Sequence, residues 1–458
     1  MGSRNNEKSI TRDLKIDEDN SCKKLLAGIL YLILAAPALF LLINNYPKFL
    51  VISFLAVILI SIIFFLIRKV ITSYHAKILG LLLILYLYFI FSFLLSNQKF
   101  IDLFKYSFLR NDGNFFFCYI MFFALAVPFF DYKRLSNIYF KFLFVVFSGF
   151  SLFALFIFLS KLSVFTIRMK YNTDDIFVAL NFAHNATGSV YAMVSLFALV
   201  FFLKEKILKY KFVYLAVLII CVAGLFFTKS RGSYTGFAAG LVFILWMHFR
   251  SVKKFLITSS ALIVIFIPIV YITGTWSRIL QIFDFKEVNI AARFTYWAKA
   301  WYLFTKSPFF GIGYGRQNDI FPAMYDKLKG IPGLFTFYLQ PAYFFNDSQA
   351  HNSYVQFLAE TGVIGLGLLL LFWGLCFGIL IRAYNSKFSS DYGKKIYLCG
   401  LGSIAALFVL SFTENYMSAT TVMACISIVN SLAIGLAWQE NARKLKVASE
   451  SEQKLFSG

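Results

Sequence analysis

The stretch 347-DSQAHNSYVQFLAETGVIG-365 joins a polar segment to the start of a long apolar run. His351 lies among the polar residues at this junction, and the chain has only four histidines. Residues 358–381 are apolar over a length that exceeds the roughly 20 residues a helix needs to cross a bilayer. The sequence therefore predicts that His351 lies where a membrane-spanning helix meets water.

The rest of the chain shares this apolar character. Of its 458 residues, 60% are hydrophobic and 14% are charged, which excludes a soluble domain because its surface must face water. The net charge is +22, but the basic residues fall in short clusters between apolar runs, a pattern typical of membrane topology and not of nucleic-acid binding. The six cysteines form no CxxC motif, so we predict no disulfide framework and no metal site.

Twelve apolar runs predict an all-α polytopic membrane protein with about 12 transmembrane helices. The runs are approximately 25–43, 48–67, 77–96, 115–130, 139–160, 188–204, 211–227, 233–249, 255–273, 358–381, 396–413 and 418–438. Residues 1–24 are polar and are expected to form a disordered cytoplasmic tail. Residues 25–273 then hold helices 1–9, residues 274–357 form one long periplasmic loop, residues 358–438 hold helices 10–12, and residues 439–458 form a second cytoplasmic tail.

The loop charges predict the orientation of these helices. With a cytoplasmic N-terminus, every inner loop is basic, as the positive-inside rule requires. These inner loops are 68–77, 131–141, 204–211, 250–254 and 382–395. Both termini are then cytoplasmic, and the Lys229–Gly232 turn, the 274–350 segment and His351 share the outer face.

Within the long outer loop, apolar residues recur at helical spacing. The recurring residues are Phe294, Trp297, Ala298, Trp301 and Phe304. This i, i+3, i+4, i+7 pattern predicts an amphipathic helix on the membrane surface, with its tryptophans at headgroup depth. The helix is expected to begin at Arg293 and to end at Ser307-Pro308, before a tight turn over Gly311–Gly315.

Two arginines on the predicted outer face are candidate anion-binding residues. Arg231 lies between two spans, where a guanidinium either pairs with an anion or carboxylate or extends to the interface. Arg293, at the expected start of the amphipathic helix, either adds to the positive helix N-terminus as an anion-binding patch or remains a surface charge. A planar guanidinium matches the oxygens of a phosphate.

His351 is the candidate general base, because a neutral imidazole accepts a proton from a hydroxyl. The alternative is an interfacial histidine that is hydrogen-bonded to the backbone. Asn352 and Tyr354 offer it polar partners. His184 lies on the same predicted face and either contacts substrate or has a structural role. Glu414, at an outer helix end, is expected to pair with an arginine or to orient His351.

Taken together, these motifs resemble the O-antigen ligase and polymerase superfamily of bacterial inner membranes, and within it most nearly the lipopolysaccharide O-antigen ligases. The matching segments are Ala183-His184, Ser230-Arg231-Gly232, Arg293 with Trp297, Pro308–Gly315, His351–Tyr354 with Glu360 and Gly362, and Glu414. The resemblance covers roughly residues 180–440. The chain departs from the ligase pattern at Ala350, where the ligases have a proline.

The resemblance implies an inverting, metal-independent glycosyl transfer at the periplasmic face, without a cofactor. The donor would be an undecaprenyl-diphosphate-linked glycan and the acceptor a sugar hydroxyl of lipid A–core. Arg231 and Arg293 would bind the diphosphate, and His351 would act as the base. Two alternatives stay open: an O-antigen polymerase that joins lipid-linked repeat units, and a polysaccharide or lipid transporter. The lack of an internal sequence repeat argues against the transporter.

Overall fold

The described part of the chain is built from ten α-helices. The computed structural model describes residues 73–95, 132–160, 184–272, 275–276, 280, 288–315 and 349–456. The helices are α1 (Ser73–Leu95), α2 (Tyr132–Ser160), α3 (His184–Lys204), α4 (Leu208–Phe227), α5 (Arg231–Phe249), α6 (Val252–Ile272), α7 (Val288–Lys306), α8 (Ser353–Asn385), α9 (Asp391–Leu410) and α10 (Thr420–Phe456).

Eight of these helices are long and apolar enough to cross a membrane, namely α2 to α6 and α8 to α10. In α1 the stretch 80–95 is also apolar but shorter. The all-α, multi-pass membrane class is therefore confirmed. The count of twelve spans is not, because the predicted spans 25–43, 48–67 and 115–130 lie outside the described residues.

The helices differ in how deeply they lie in the bundle. The spans of α3 and α10 are 83% and 89% buried, whereas that of α6 is 11% buried. The first two therefore form the centre of the bundle, and α6 lies at its edge with apolar side chains facing outward. Polar contacts also join the central helices: in α10, Asn430 donates a hydrogen bond to Ser403 of α9 at 3.0 Å.

Because the helices alternate in direction, their connections divide between two ends. One end, called the site end because the candidate site residues lie there, carries the α4–α5 connection (228–230) and the α9–α10 connection (411–419). The opposite end carries the connections 205–207, 250–251 and 386–390. These three connections belong to the predicted basic loops 204–211, 250–254 and 382–395. The three loops therefore lie at one end of the bundle, away from the candidate site residues.

The predicted helix in the long loop is present as α7, but its predicted start at Arg293 is wrong. It begins at Val288, since residues 288–292 contain no proline or glycine that would stop a helix. Arg293 therefore lies in the second turn of α7 and not at its first residue. The face packed against the protein carries Ala292, Tyr296 and Leu303, while Trp301 of the predicted apolar face is 52% exposed.

The predicted start of the next span, at residue 358, is also wrong. Helix α8 begins at Ser353 and is broken at Gly362, where φ is 67° and ψ is −173°. The first half, 353–361, contains polar side chains and ends at the break. The second half is the apolar run that the sequence identified. The predicted run of 358–381 includes only the last four residues of the first half, because residues 353–357 are too polar to be identified as part of a span.

A turn that follows α7, residues 307–315, fills the break in α8. The backbone N–H groups of Ile312 and Gly313 donate to the carbonyls of Ala359 and Glu360, each at 3.0 Å. In return, Val363 N–H donates to the Pro308 carbonyl at 2.9 Å. The break thus exchanges backbone hydrogen bonds with the turn and leaves these groups satisfied.

Close approach of the two backbones requires glycine on both sides. A Cβ at Gly362 would lie 2.2 Å from the Phe309 carbonyl oxygen, and one at Gly311 would lie 2.3 Å from the Glu360 backbone. Helix α1 braces the same joint, because Tyr88 donates to the Thr361 carbonyl at 2.7 Å. The predicted Gly311–Gly315 turn is thereby confirmed, and it serves as the partner of a broken helix.

Candidate active site

The His351 ring contacts the Glu414 carboxylate at the site end. The distance from His351 Nδ1 to Glu414 Oε1 is 2.5 Å, and the two side chains are 34% and 17% exposed. Of the two roles expected for Glu414, the structure shows the pairing with His351. Because Nδ1 faces the carboxylate, the Nε2 edge of the ring is directed away from it.

The local sequence holds His351 just outside the helix. Its φ of 49° is in the left-handed region, so the chain turns sharply there. The next residue, Asn352, caps α8, with its side-chain oxygen accepting hydrogen bonds from the backbone of Tyr354 at 3.0 Å and of Val355 at 3.2 Å. The Asn352 N–H in turn donates to Asn415 Oδ1 at 3.0 Å. The turn is therefore anchored both to its own helix and to the connection that carries Glu414.

Helix α7 covers one side of the imidazole. The rings of Tyr296 and His351 lie 5.3 Å apart between centroids, inclined by 31°. Ala300 and Leu303 on the same helix pack with Ala350 beside the histidine. These contacts fix α7 against the start of α8.

The same helix brings Arg293 to the site end. Arg293 lies one turn before Tyr296, and residues at that spacing are neighbours on a helix surface. Burial, together with the charge of Glu414, raises the pKa of Tyr416 above its ordinary range, and the charge of Arg293 acts in the opposite direction. Tyr416 therefore stays protonated, and the positive charge of Arg293 reaches the connection that carries Glu414.

Arg231 is the first residue of α5, and its neighbours place it beside the same connection. A Cβ at Gly232 would lie 2.3 Å from Thr413 Oγ1, so the start of α5 packs directly against the residue before Glu414. Before Arg231, the Ser230 hydroxyl donates to Asn185 Oδ1 at 2.9 Å. Asn185 Nδ2 donates to Glu414 Oε2 at 3.3 Å. The structure thus brings Arg231, Arg293 and His351 to one end of the bundle.

The other residues singled out from the sequence have structural contacts. Tyr354 donates to the Phe408 carbonyl at 2.7 Å, which fastens α8 to α9. Asn352 is the helix cap described above. Glu360, 1% exposed, accepts a hydrogen bond from Gln356 Nε2 at 3.2 Å. His184 is the first residue of α3 at the site end, and its side chain lies outside the described residues.

Sequence reasoning missed Asn185 and Tyr296. The only signal for Asn185 was its place at the polar start of an apolar run, next to His184. Tyr296 lies between the aromatic residues that defined the predicted apolar face of α7, but it points to the other face, towards the protein. Its role depends on the packing of α7 against α8, which the sequence pattern does not show.

The charges at this site suit a reaction that releases an anion. A histidine whose Nδ1 faces a carboxylate accepts a proton through Nε2, since the carboxylate fixes the ring and stabilises the imidazolium that forms. Arginines beside it stabilise negative charge that develops on a phosphate leaving group. The arrangement combines these two functions at one end of a membrane bundle.

Comparison with known proteins gives one match. Residues 215–371 match a family model described as O-antigen ligase, which covers about a third of the chain. The matched segment contains Arg231, Arg293 and His351, whereas His184 and Glu414 lie outside it. No curated protein sequence matches the chain. The match agrees with the resemblance found in the motifs: residues 215–371 are similar to the O-antigen ligase family, which supports the O-antigen ligase and polymerase superfamily.

Proposed function

We propose that the protein is an inner-membrane glycosyltransferase that moves O-antigen glycan from undecaprenyl diphosphate to a sugar hydroxyl of lipid A–core. The observation that carries the proposal is the contact of 2.5 Å between His351 Nδ1 and Glu414 Oε1. It stands at the end of the bundle that also carries Arg231 and Arg293. The similarity of residues 215–371 to the O-antigen ligase family model supports a transferase of this general kind over a transporter.

In the proposed reaction, His351 is the general base. The acceptor hydroxyl gives its proton to Nε2 as its oxygen attacks the anomeric carbon of the donor sugar. Glu414 holds the ring by Nδ1 and offsets the positive charge that forms on it, which is the role of a carboxylate behind a catalytic histidine. Attack on the side opposite the leaving group inverts the anomeric centre.

The leaving group is the lipid diphosphate. The bond between the anomeric carbon and the phosphate oxygen breaks, and the electron pair remains on the diphosphate. Arg231 and Arg293 bind this group and neutralise the charge that grows on it in the transition state. No metal is needed for that role, because two guanidinium groups supply the positive charge.

The positive-inside pattern supports a periplasmic location of the site end and cytoplasmic termini. Both substrates are lipids, so they reach the site from the bilayer. An O-antigen polymerase remains the second candidate, since it would use the same donor and the same base with a lipid-linked acceptor. The two candidates differ only in the acceptor, and the experiment below separates them.

The test uses full-length protein in nanodiscs with undecaprenyl-diphosphate-linked glycan, with and without lipid A–core. Glycan on core is the result expected for a ligase, and longer lipid-linked chains would instead identify a polymerase. His351→Ala should lower the rate about 10²–10⁴-fold, the usual contribution of a general base. The matched control is His248→Ala, which removes a histidine from the last turn of α5 at the opposite end.

A wild-type rate from His351→Ala would contradict the base assignment. Absence of product with either acceptor, from wild-type protein that is folded, would contradict glycosyl transfer as a whole.

A further inference from the structure

Asn185, in the first turn of α3, makes hydrogen bonds to several segments of the site end. Its side-chain amide contacts Glu414 and Ser230, as described above. Its backbone carbonyl accepts hydrogen bonds from the hydroxyls of Ser189 at 2.9 Å and Tyr416 at 3.0 Å. One residue therefore links the start of α3, the start of α5 and the α9–α10 connection.

The chemistry of its two neighbours fixes which way the amide points. A carboxylate only accepts hydrogen bonds, so the amide nitrogen must face Glu414. The amide oxygen then faces Ser230, whose hydroxyl donates to it at 2.9 Å. Ser230 also exchanges a hydrogen bond with Ser233 at 2.8 Å, so the hydroxyl is itself held in place.

Among the residues that the structure describes, Asn185 is the one hydrogen-bond donor to the second oxygen of Glu414, Oε2. The terminal torsion of a glutamate is broad, and a free glutamate side chain has considerable rotational freedom. A carboxylate held by one oxygen alone could swing away from Nδ1. The contact of Asn185 with Oε2 therefore restricts Glu414 to the orientation in which Oε1 meets His351.

We infer that Asn185 is a positioning residue: it holds Glu414 against His351 and couples that pair to the Ser230-Arg231 turn. The inference rests on the proposed function of His351 and Arg231, and it extends that function to a residue outside the matched family segment. In this arrangement the base and one of the diphosphate-binding arginines keep a fixed separation, because one amide bridges the segments that carry them.

The first experiment measures transfer by Asn185→Ala in nanodiscs. We expect kcat to fall about 10–100-fold, as when other supporting contacts behind a functional group are removed. KM for the lipid-linked donor should stay within about threefold of wild type, since Asn185 is not expected to touch the donor. Added to Glu414→Gln, Asn185→Ala should cause a smaller loss of kcat than it does in the wild-type background, because the part of its effect that passes through that carboxylate is already lost.

The matched control is Asn430→Ala. Asn430 is a buried asparagine in α10 that donates to Ser403 at 3.0 Å and to the Ile426 carbonyl at 2.8 Å, away from the site end. It should lower the unfolding temperature at least as much as Asn185→Ala while leaving kcat unchanged. A merely structural role for Asn185 would make the two variants behave alike.

A wild-type kcat in Asn185→Ala would overturn the inference, as would a loss that adds in full to that of Glu414→Gln. An increase in donor KM with unchanged kcat would also overturn it. The unfolding temperatures of the same single and double variants give a readout that needs no substrate. If folded wild-type protein transfers no glycan, the proposed function fails. The inference is then tested by the unfolding temperatures alone, and it would be overturned if the effects of Asn185→Ala and Glu414→Gln on unfolding temperature simply add.

Discussion

Both ends of the bundle hold a largely covered carboxylate, but the two carboxylates have different partners. At the opposite end, Glu440 of α10 accepts hydrogen bonds from the backbone N–H of Ser390 at 3.2 Å and from the Tyr397 hydroxyl at 2.7 Å. The Ser390 hydroxyl also donates to it. These donors are neutral and belong to the cap and first turns of α9. At the site end, Glu414 instead faces a histidine that is 34% exposed.

The difference shows that the burial of a carboxylate does not by itself identify an active site. Glu440 joins two helices, and its donors are hydroxyl groups and a backbone N–H, which are too weakly basic to take a proton from a substrate. Glu414 stabilises a group that can itself accept a proton. The other acids of the opposite end pair with lysines, as in the contact of 2.9 Å between Lys395 Nζ and Glu205 Oε2. The carboxylates of the opposite end therefore stabilise the fold, whereas the carboxylate of the site end supports the proposed chemistry.

The largest effect that would test this division is expected from Glu414→Gln. Loss of the charge behind the imidazole should reduce kcat by about 10²–10⁴-fold, the range seen when the carboxylate behind a catalytic histidine is neutralised. Glu440→Gln should leave kcat unchanged and lower stability by about 1 kcal/mol, because one of the two oxygens that accept hydrogen bonds from Ser390 and Tyr397 is replaced by an NH2 group. Transfer rates and unfolding temperatures of both variants are to be measured side by side. Equal kcat losses would contradict the comparison.

The next effect concerns the arginines at the two ends. Arg231→Ala should lower kcat by about 10²–10³-fold, since a donor to developing negative charge is removed. Arg231→Lys should recover only part of the rate, because an ammonium does not bind two phosphate oxygens in the planar geometry of a guanidinium. The control is Arg250→Ala, which removes an opposite-end arginine that donates to Asn385. A similar loss of transfer from Arg250→Ala would refute the assignment of function to one end.

A third prediction concerns stability and sharpens the role of the joint between α7 and α8. Gly362→Ala should destabilise the protein by about 1–3 kcal/mol or more, because its φ is 67° and its Cβ would meet the Phe309 carbonyl at 2.2 Å. Gly378→Ala, in the same helix with open space around it, should leave stability unchanged or raise it by about 1 kcal/mol. Thermal unfolding in detergent measures both. Equal stability of the two variants would show that the break is not needed.

The smallest effect is a pH-dependent one at the opposite end. Burial raises the pKa of Glu205, but hydrogen bonds from Lys395 and from the backbone of Ile207 outweigh it and hold the pKa below its ordinary value of 4.5. A carboxyl with a lowered pKa stabilises the fold above its ordinary pKa and loses that contribution as the pH falls through the lowered value. Glu205→Gln should therefore cost about 1 kcal/mol or less near neutral pH.

The unfolding temperatures of wild-type protein and Glu205→Gln should converge as the pH falls below 4.5. A difference that grows in acid would show that the sign of this contribution is wrong.

Composition and loop charge were sufficient to predict the membrane class and the grouping of loops at two ends. They also placed Arg231, Arg293 and His351 on one face, because two predicted spans, 233–249 and 255–273, separate Arg231 from the other two residues, and an even number of spans returns the chain to the same side. Within the described residues, the predicted spans correspond to helices with boundaries shifted by a few residues. The larger shifts are at the starts of α2, α8 and α9, which begin seven, five and five residues before the predicted starts at 139, 358 and 396, and at the end of α10, which continues past 438 to Phe456.

The contacts that assemble the site could not be predicted, since they join distant parts of the chain. Asn185 and Glu414 are 229 positions apart, and no local pattern pairs an amide with a particular carboxylate. Gly362 was noticed as part of a motif, but a glycine in an apolar run gives no sign of a break until the turn that fills it is seen. Tertiary packing decides both features.

The left-handed backbone at His351 determines which substitution can remove the imidazole without disturbing the chain. Among residues with a side chain, asparagine adopts such a conformation most readily, whereas alanine resists it. His351→Asn therefore keeps the chain path while replacing the imidazole with an amide that takes up no proton near neutrality. Such a variant would bind the lipid-linked donor and the acceptor together without rapid glycan transfer, so that the complex could be studied by structure determination.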